Sequence, residues 1–436
     1  MDIETEKAIM SEALSVFSKP LVNAKKELNE IRKMLQDPKT EANNVAALRT
    51  KLAYITRQFD LARVNQLQLK PTTIISLQQI YPDLQAADIG RALDKGLAFY
   101  EEEYMSSLLE KVPILGHFAT ERVSLTIPAV YSKPVKSDMA VLLVYFNACS
   151  YKNLERNLRL TLKSLQDAEI PVFLVEHLFK DQEPIFPENG TTIFNTRSDS
   201  YMFYKENLLN WLMPKVPPQY TKFYMMDCDL IFEKATWYDD VSNLLDTHDV
   251  VQPFQEAIWL RSDLKTVSAK RVAIVYGNCL GHTLNLSDYH PGFVWAFRRD
   301  FIEPLGIFDF NILGSGDTIL ASAAIQKNYL ESYWRKCNIE DNCNSTYNYI
   351  NHFDKVRTTY YPNQTVYHLW HGSNKNRKYH IRYELLQAYC LENNITTYKV
   401  FFELITYGLY EYNIMIREVL NNTLLDYFQS RDEDGI

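Results

Sequence analysis

Three short stretches of this chain carry side chains that can do chemistry. The first is Lys222–Phe232, KFYMMDCDLIF, where Asp227 and Asp229 stand between two apolar runs. In an extended chain residues i and i+2 point the same way, so both carboxylates can face one site at a strand's end. Two such acids can seat a hard divalent cation that also takes phosphate oxygens. Alone, Asp-X-Asp is equally a solvated surface turn. Cys228, between them, points to the opposite face and reads as packing. The second stretch is Gly314-Ser315-Gly316-Asp317-Thr318, which opens an apolar helix, Ile319–Ile325. Asp317 is there either a helix cap, stabilising by about 1 kcal/mol, or a base held beside a reaction centre. The third is His368-Leu369-Trp370-His371-Gly372, followed by Lys375, Arg377, Lys378 and Arg382. A lone histidine is more often a hydrogen-bonded residue than a ligand. Here an imidazole followed by glycine and a group of cations can complete a metal site and close over a diphosphate.

The surrounding pattern decides whether these groups share a site. Met139–Phe146 is a continuous apolar run, the texture of a strand buried on both faces of a parallel sheet. It leads into Asn147–Tyr151 and then a helix with Leu154, Leu158, Leu162 and Leu165 on one face. Pro171–Val175 reads as the next strand, ending at Glu176 and His177, and Ile193-Phe194 as a third. A loop and helix follow over 197–213, broken by Pro214, Pro217 and Pro218 before the acid-bearing strand. The acids therefore fall on the same rim as Asn147 and Glu176, at the carboxyl ends of strands, where open α/β sheets bind ligands. Val250–Pro253 and Phe293–Phe297 read as later strands, and residues 384–428 as helices with a break at Gly408.

Composition bounds the possibilities. The 436 residues are 46% hydrophobic and 23% charged, the balance of a soluble globular protein. A net charge of −8 without a long basic run argues against nucleic acid as partner. No apolar run reaches the roughly 18 residues of a membrane span, and Asp2, Glu4, Glu6 and Lys7 do not read as a secretory signal. The expectation is a soluble, cytoplasmic protein, with its scattered cysteines as free thiols. The 29 Tyr, 22 Phe and 6 Trp suit surfaces for sugars or nucleobases, although aromatics are first of all core material. Residues 1–115 read as a helical bundle punctuated by proline, suited to homo-oligomerisation, partner docking, acceptor positioning or a plain cap. Residues 116–137 read as a linker and 431–436 as a disordered tail.

In this order the pieces over 138–385 resemble the nucleotide-sugar-dependent glycosyltransferases of the GT-A fold. The resemblance implies a Rossmann-like, mostly parallel α/β domain, with a helical extension over 386–430. It implies donor contacts from Asn147 and Tyr151, Glu176, Lys205, Asp227, Trp295, Lys375 and Arg377. Asp227-Cys228-Asp229 matches the metal-binding acid pair and His371-Gly372 the late histidine, giving Asp227, Asp229 and His371 as ligands of Mn²⁺ or Mg²⁺. Gly292-Phe293 and Trp259 would line the sugar and acceptor pocket, and Asp317 would be the base of an inverting transfer. Where the family commonly has an acid pair, this turn reads GSGDT. The expected reaction moves a sugar from a nucleoside diphosphate sugar, UDP-linked for preference, to a hydroxyl of a glycan or glycoconjugate. The alternatives are a sugar nucleotidyltransferase, disfavoured by a glycine-free Asn147–Tyr151 loop, and a glycan- or protein-binding module on a degenerate scaffold.

Overall fold

The computed structural model describes residues 5, 8, 74–85, 89, 92, 93 and 122–435, apart from 283, 285, 287, 327–338, 378–382 and 405–407. It divides into two compact units, Met1–Glu121 and Arg122–Ile436. In the first, residues 74–80 are helical, and Leu77, Ile89, Ala92 and Leu93 are buried with Ile74, Tyr81 and Leu84 packed against them. Most of the expected N-terminal bundle, and Cys337, lie outside the described residues.

The second unit is α/β, with a mixed, largely parallel sheet flanked by helices. Strands β1 (Met139–Phe146), β2 (Val172–Phe179), β3 (Ile193–Ser198) and β4 (Lys222–Met226) run parallel, in the order β3-β2-β1-β4. Short strands β5 (Leu230–Phe232), β6 (Val250–Gln252), β7 (Glu256–Leu260), β8 (Val267–Ala273) and β9 (Tyr289–His290) follow, then β10 (Val294–Arg298). β10 lies antiparallel between β4 and β6, and β11 (Thr358–Tyr360) completes the seven-stranded sheet. A second sheet has the order β5-β12-β7-β8-β9, where β12 is Thr365–His368.

The apolar run of β1 has a structural reason. Its residues alternate between two cores: Ala140, Leu142 and Val144 join one, Val141, Leu143 and Tyr145 the other. Helix α1 (Lys152–Asp167) covers the second face with Leu158, Leu162 and Leu165, and helix α2 (Lys205–Leu212) covers the first with Leu208, Leu209 and Leu212. Further helices are α3 (Trp237–Leu245), α4 (Ile274–Cys279), α5 (Arg299–Ile302), α6 (Gly316–Ile325), α7 (Glu340–Asn351), α8 (Glu384–Glu392) and α9 (Arg417–Ser430). No helix among the described residues is long and apolar enough to cross a membrane.

Several expectations are corrected. β2 runs on to Phe179, so Glu176 and His177 lie within the strand, paired with Tyr145 and Phe146, rather than beyond its end. Residues 122–137 do not form a free linker: Val123 N donates to Lys265 O, Ala129 N to Ser164 Oγ and Val135 N to Asp239, with Ala129 and Tyr131 buried. The C-terminal extension is not all helix. β13 (Phe402–Leu404) and β14 (Tyr410–Tyr412) pair antiparallel between α8 and α9, with Gly408 at φ +82° beside β14. The tail beyond Arg431 is not a disordered appendage, because Glu433 is buried.

Candidate functional site

Strand direction brings the site together. β4 ends at Met226, paired with Val294 at the start of antiparallel β10, so Asp227 emerges beside Phe293. Asp227 N donates to Phe293 O at 3.0 Å. Three residues later β5 pairs with β12, Leu230 opposite His368, and Leu369 N donates to Asp229 O at 2.8 Å. The two acids thus serve different neighbours, and neither location depends on a flexible side chain.

Asp229 Oδ2 lies 2.8 Å from His371 Nε2 and 3.5 Å from His368 Nε2. The two imidazole nitrogens are 3.1 Å apart, and one ligand atom from each of the three residues falls within 4.8 Å of the others. Burial takes the His368 pKa down to about 3, against the upward pull of the Asp229 carboxylate. Burial also works against charge on Asp229, but His368, His371 and Arg377 outweigh it and hold that carboxyl below its usual range. Asp229 Oδ1 is buried without a hydrogen-bond partner among the described residues. An orphaned carboxylate oxygen beside two converging imidazoles is the donor set that a divalent ion would satisfy. Arg377 Nη2 also approaches His371 Nε2, at 2.8 Å, so a guanidinium already brings positive charge there.

Asp227 faces another group. Lys205 Nζ sits 2.6 Å from Asp227 Oδ1 and 3.2 Å from Asp317 Oδ1, bridging the two acids. Burial opposes the lysine's charge, but Asp227, Asp317 and Glu206 together hold its pKa well above the ordinary value. Burial raises Asp227 to about 6, with Lys205 pulling it down and Asp317 and Asp229 adding to the rise. Asp317 is not a helix cap. Ser315 occupies the cap position of α6, and Asp317, 36% exposed, lies in the first helical turn. Both Gly314 and Ser315 have left-handed φ, +84° and +81°, as does Phe293 at +75°. Such backbone costs on the order of 1–3 kcal/mol for non-glycine residues and collects at functional sites. Here it flanks both bridged acids.

Gly292 permits this arrangement, because a Cβ there would fall 2.2 Å from Asp317 Oδ2. Gly292→Ala must push the carboxylate aside while the backbone stays put. The expected result is a loss of turnover on the order of tenfold or more for a displaced group, with thermal stability close to wild type; unchanged kinetics would show that Asp317 has no positional role. Glu206 lies beneath Gly316, whose added Cβ would sit 2.1 Å from Glu206 Oε1. Burial pushes the Glu206 carboxyl up to about 8, against an ordinary 4.5. Between those values the folded chain holds the proton and the unfolded chain loses it, so stability falls as pH rises. Melting curves from about pH 5 to about pH 9 should show that decline, and Glu206→Gln should flatten it. An equal slope in the variant would refute the burial of a neutral Glu206.

The other expected residues are placed as follows. Asp227 is not in the His cluster, and His368 takes the third place there. Asn147 braces its own loop, donating to Tyr145 Oη and Tyr151 O and accepting from Tyr151 N. Tyr151 Oη donates to Gln429 O at 2.9 Å. Glu176 accepts with both oxygens from the amides of Ile185 and Phe186. Trp295 is buried, donates to Pro291 O, and lines a cavity of about 20 Å³ with Lys205, Glu206, Phe293 and Asp317. That volume takes about one water. Trp259 and Phe293 are buried too: Phe293 stacks on His368 with centroids 5.0 Å apart, and Trp259 packs under Phe293 at 4.9 Å. They form the floor of the histidine pair rather than open sugar platforms. Lys375 lies in a 3-10 turn, Asn374–Arg377, but its side chain, like Lys378 and Arg382, is outside the described residues.

Sequence reasoning missed His368, Glu206 and Glu433. His368 was visible three residues before His371, and Glu206 beside Lys205. No local signal marks Glu433, whose carboxylate bonds His371 Nδ1 from 62 residues away. The chain matches no protein-family model, and no curated protein matches it.

Proposed function

We propose that this chain is a metal-dependent glycosyltransferase of the GT-A type, moving a sugar from a UDP-sugar to an acceptor hydroxyl with inversion. The observation that carries this reading is the meeting of Asp229, His368 and His371 beside the lysine-bridged pair Asp227 and Asp317, at the carboxyl rim of a largely parallel sheet. The strand order, with one antiparallel strand beside the acid-bearing one, supports the same fold type.

Asp229, His368 and His371 would hold the ion, and two imidazoles in the set favour Mn²⁺ over Mg²⁺, which prefers oxygen alone. A bound divalent ion supplies Lewis-acid stabilisation of the departing diphosphate. The chain's own groups perform the rest. Asp317 accepts the proton of the acceptor hydroxyl as its oxygen attacks the anomeric carbon. The bond from that carbon to the phosphate oxygen breaks, and its electron pair leaves with the diphosphate. Lys205 keeps Asp227 and Asp317 apart in charge and together in space, and Arg377 adds positive charge beside the leaving group.

Release of UDP from a panel of UDP-sugars, with and without Mn²⁺, tests the reading. Mn²⁺-dependent UDP release that increases with an acceptor glycan is expected. Pyrophosphate formed from UTP and a sugar phosphate would instead mark a nucleotidyltransferase. Tight glycan binding without turnover would mark a binding module.

A further inference from the structure

We infer that Glu433, in the C-terminal strap Arg431–Gly435, is a positioning residue for His371 and that the strap ties the metal loop to the loop after β1; this rests on the metal reading above. Glu433 Oε2 bonds His371 Nδ1, while its other oxygen pairs with Arg431. An ionised carboxylate offers no hydrogen, so Nδ1 must carry one toward Glu433, and Nε2, 2.8 Å from Asp229 Oδ2, is the nitrogen that can give up its own hydrogen to take an ion. A carboxylate behind a ligating histidine fixes both tautomer and ring orientation.

The strap is held at several points. Asp434 accepts from the amides of Lys152 and Asn153, at 2.8 and 2.7 Å, which are otherwise open donors at the start of α1. Asn153 Nδ2 donates to Glu433 O at 3.0 Å. On the other side the strap presses on Gly372, φ +83°, where a Cβ would fall 2.7 Å from Asp432 O. Helix α9 adds Tyr427 Oη, which donates to Arg377 O at 3.1 Å. The loop bearing Tyr151 and the loop bearing His371 are therefore fixed by one C-terminal segment.

The test uses the full chain with Glu433→Ala and Glu433→Gln. Titration with Mn²⁺, followed by the electron paramagnetic resonance of the free ion, should show affinity falling about 10–100-fold in the alanine variant. Glutamine keeps an acceptor oxygen and should lose less. A purely structural role would lower the melting temperature and leave affinity within twofold, which would overturn the inference. Nitrogen-15 spectra of the metal-free chain give a second readout: His371 Nδ1 should carry a proton in the wild type and lose that preference in Glu433→Ala. A wild type protonated on Nε2 alone would also overturn it. Should the wild type fail to bind Mn²⁺, the metal reading falls, and the tautomer spectra still decide the role of Glu433.

Discussion

Asp229→Ala is expected to abolish Mn²⁺ binding and to lower sugar transfer by about 10³-fold or more, the several kcal/mol that a Lewis acid contributes to a leaving group. Asp229 supplies the carboxylate on which both imidazoles converge, and its other oxygen is buried without a hydrogen-bond partner among the described residues. The fold should survive, because the strand register depends on the backbone carbonyl of Asp229, which accepts from Leu369 N whatever the side chain. Asp227→Asn provides the contrast. Asp227 faces Lys205 rather than the histidines, so that variant should keep Mn²⁺ affinity within a few-fold while losing turnover. Mn²⁺ titration and UDP release, run on both variants, separate the roles. Wild-type metal-dependent rates in Asp229→Ala would remove the metal assignment, and equal loss of Mn²⁺ affinity in both would restore the acid pair as a joint ligand set.

How much of this was legible depends on how far each signal reaches along the chain. β1 and β4 announce themselves, since a strand buried on both faces needs an unbroken apolar run and these two have one. The rim position of Asp227 and Asp229 follows from that alone. The split between them does not. Asp227 turns toward α2 and Asp229 toward β12 because the chain crosses from one sheet to the other between Met226 and Leu230, and the crossing depends on strands formed more than a hundred residues later. Sequence spacing can place two acids on one side of an extended chain, but the backbone here is no longer extended. The same limit hides the tail: Arg431-Asp432-Glu433-Asp434 has the composition of a solvated end, and only its amide, imidazole and guanidinium partners remove it from solvent. Aromatic residues fail for another reason. Trp259, Phe293 and Trp295 have the right type for stacking on sugars, yet type does not distinguish a platform from a floor. Burial under His368 makes the first two floor.

Asp317→Asn is expected to reduce the transfer rate by about 10²–10⁴-fold, the usual worth of a general base, with little change in donor KM. Asparagine matches the carboxylate in shape but cannot take the acceptor's proton. The helix should not suffer, because the side-chain bond of Asp317 is to Lys205 and not to an amide at the start of α6. Lys205 keeps its shorter contact, to Asp227, so the lysine remains paired in the variant. Mn²⁺ affinity should therefore stay at the wild-type value, since Asp317 is not among the clustered ligands. Two measurements check this: steady-state kinetics with saturating acceptor, and the anomeric configuration of the product by proton magnetic resonance. Full activity in Asp317→Asn would remove it as the base. A product that retains the donor's configuration would also remove direct inversion, even if the variant were slow. The charge at Asp317 would then serve only to hold Lys205. A slow variant, an inverted product and intact Mn²⁺ binding together leave the acceptor's proton with Asp317.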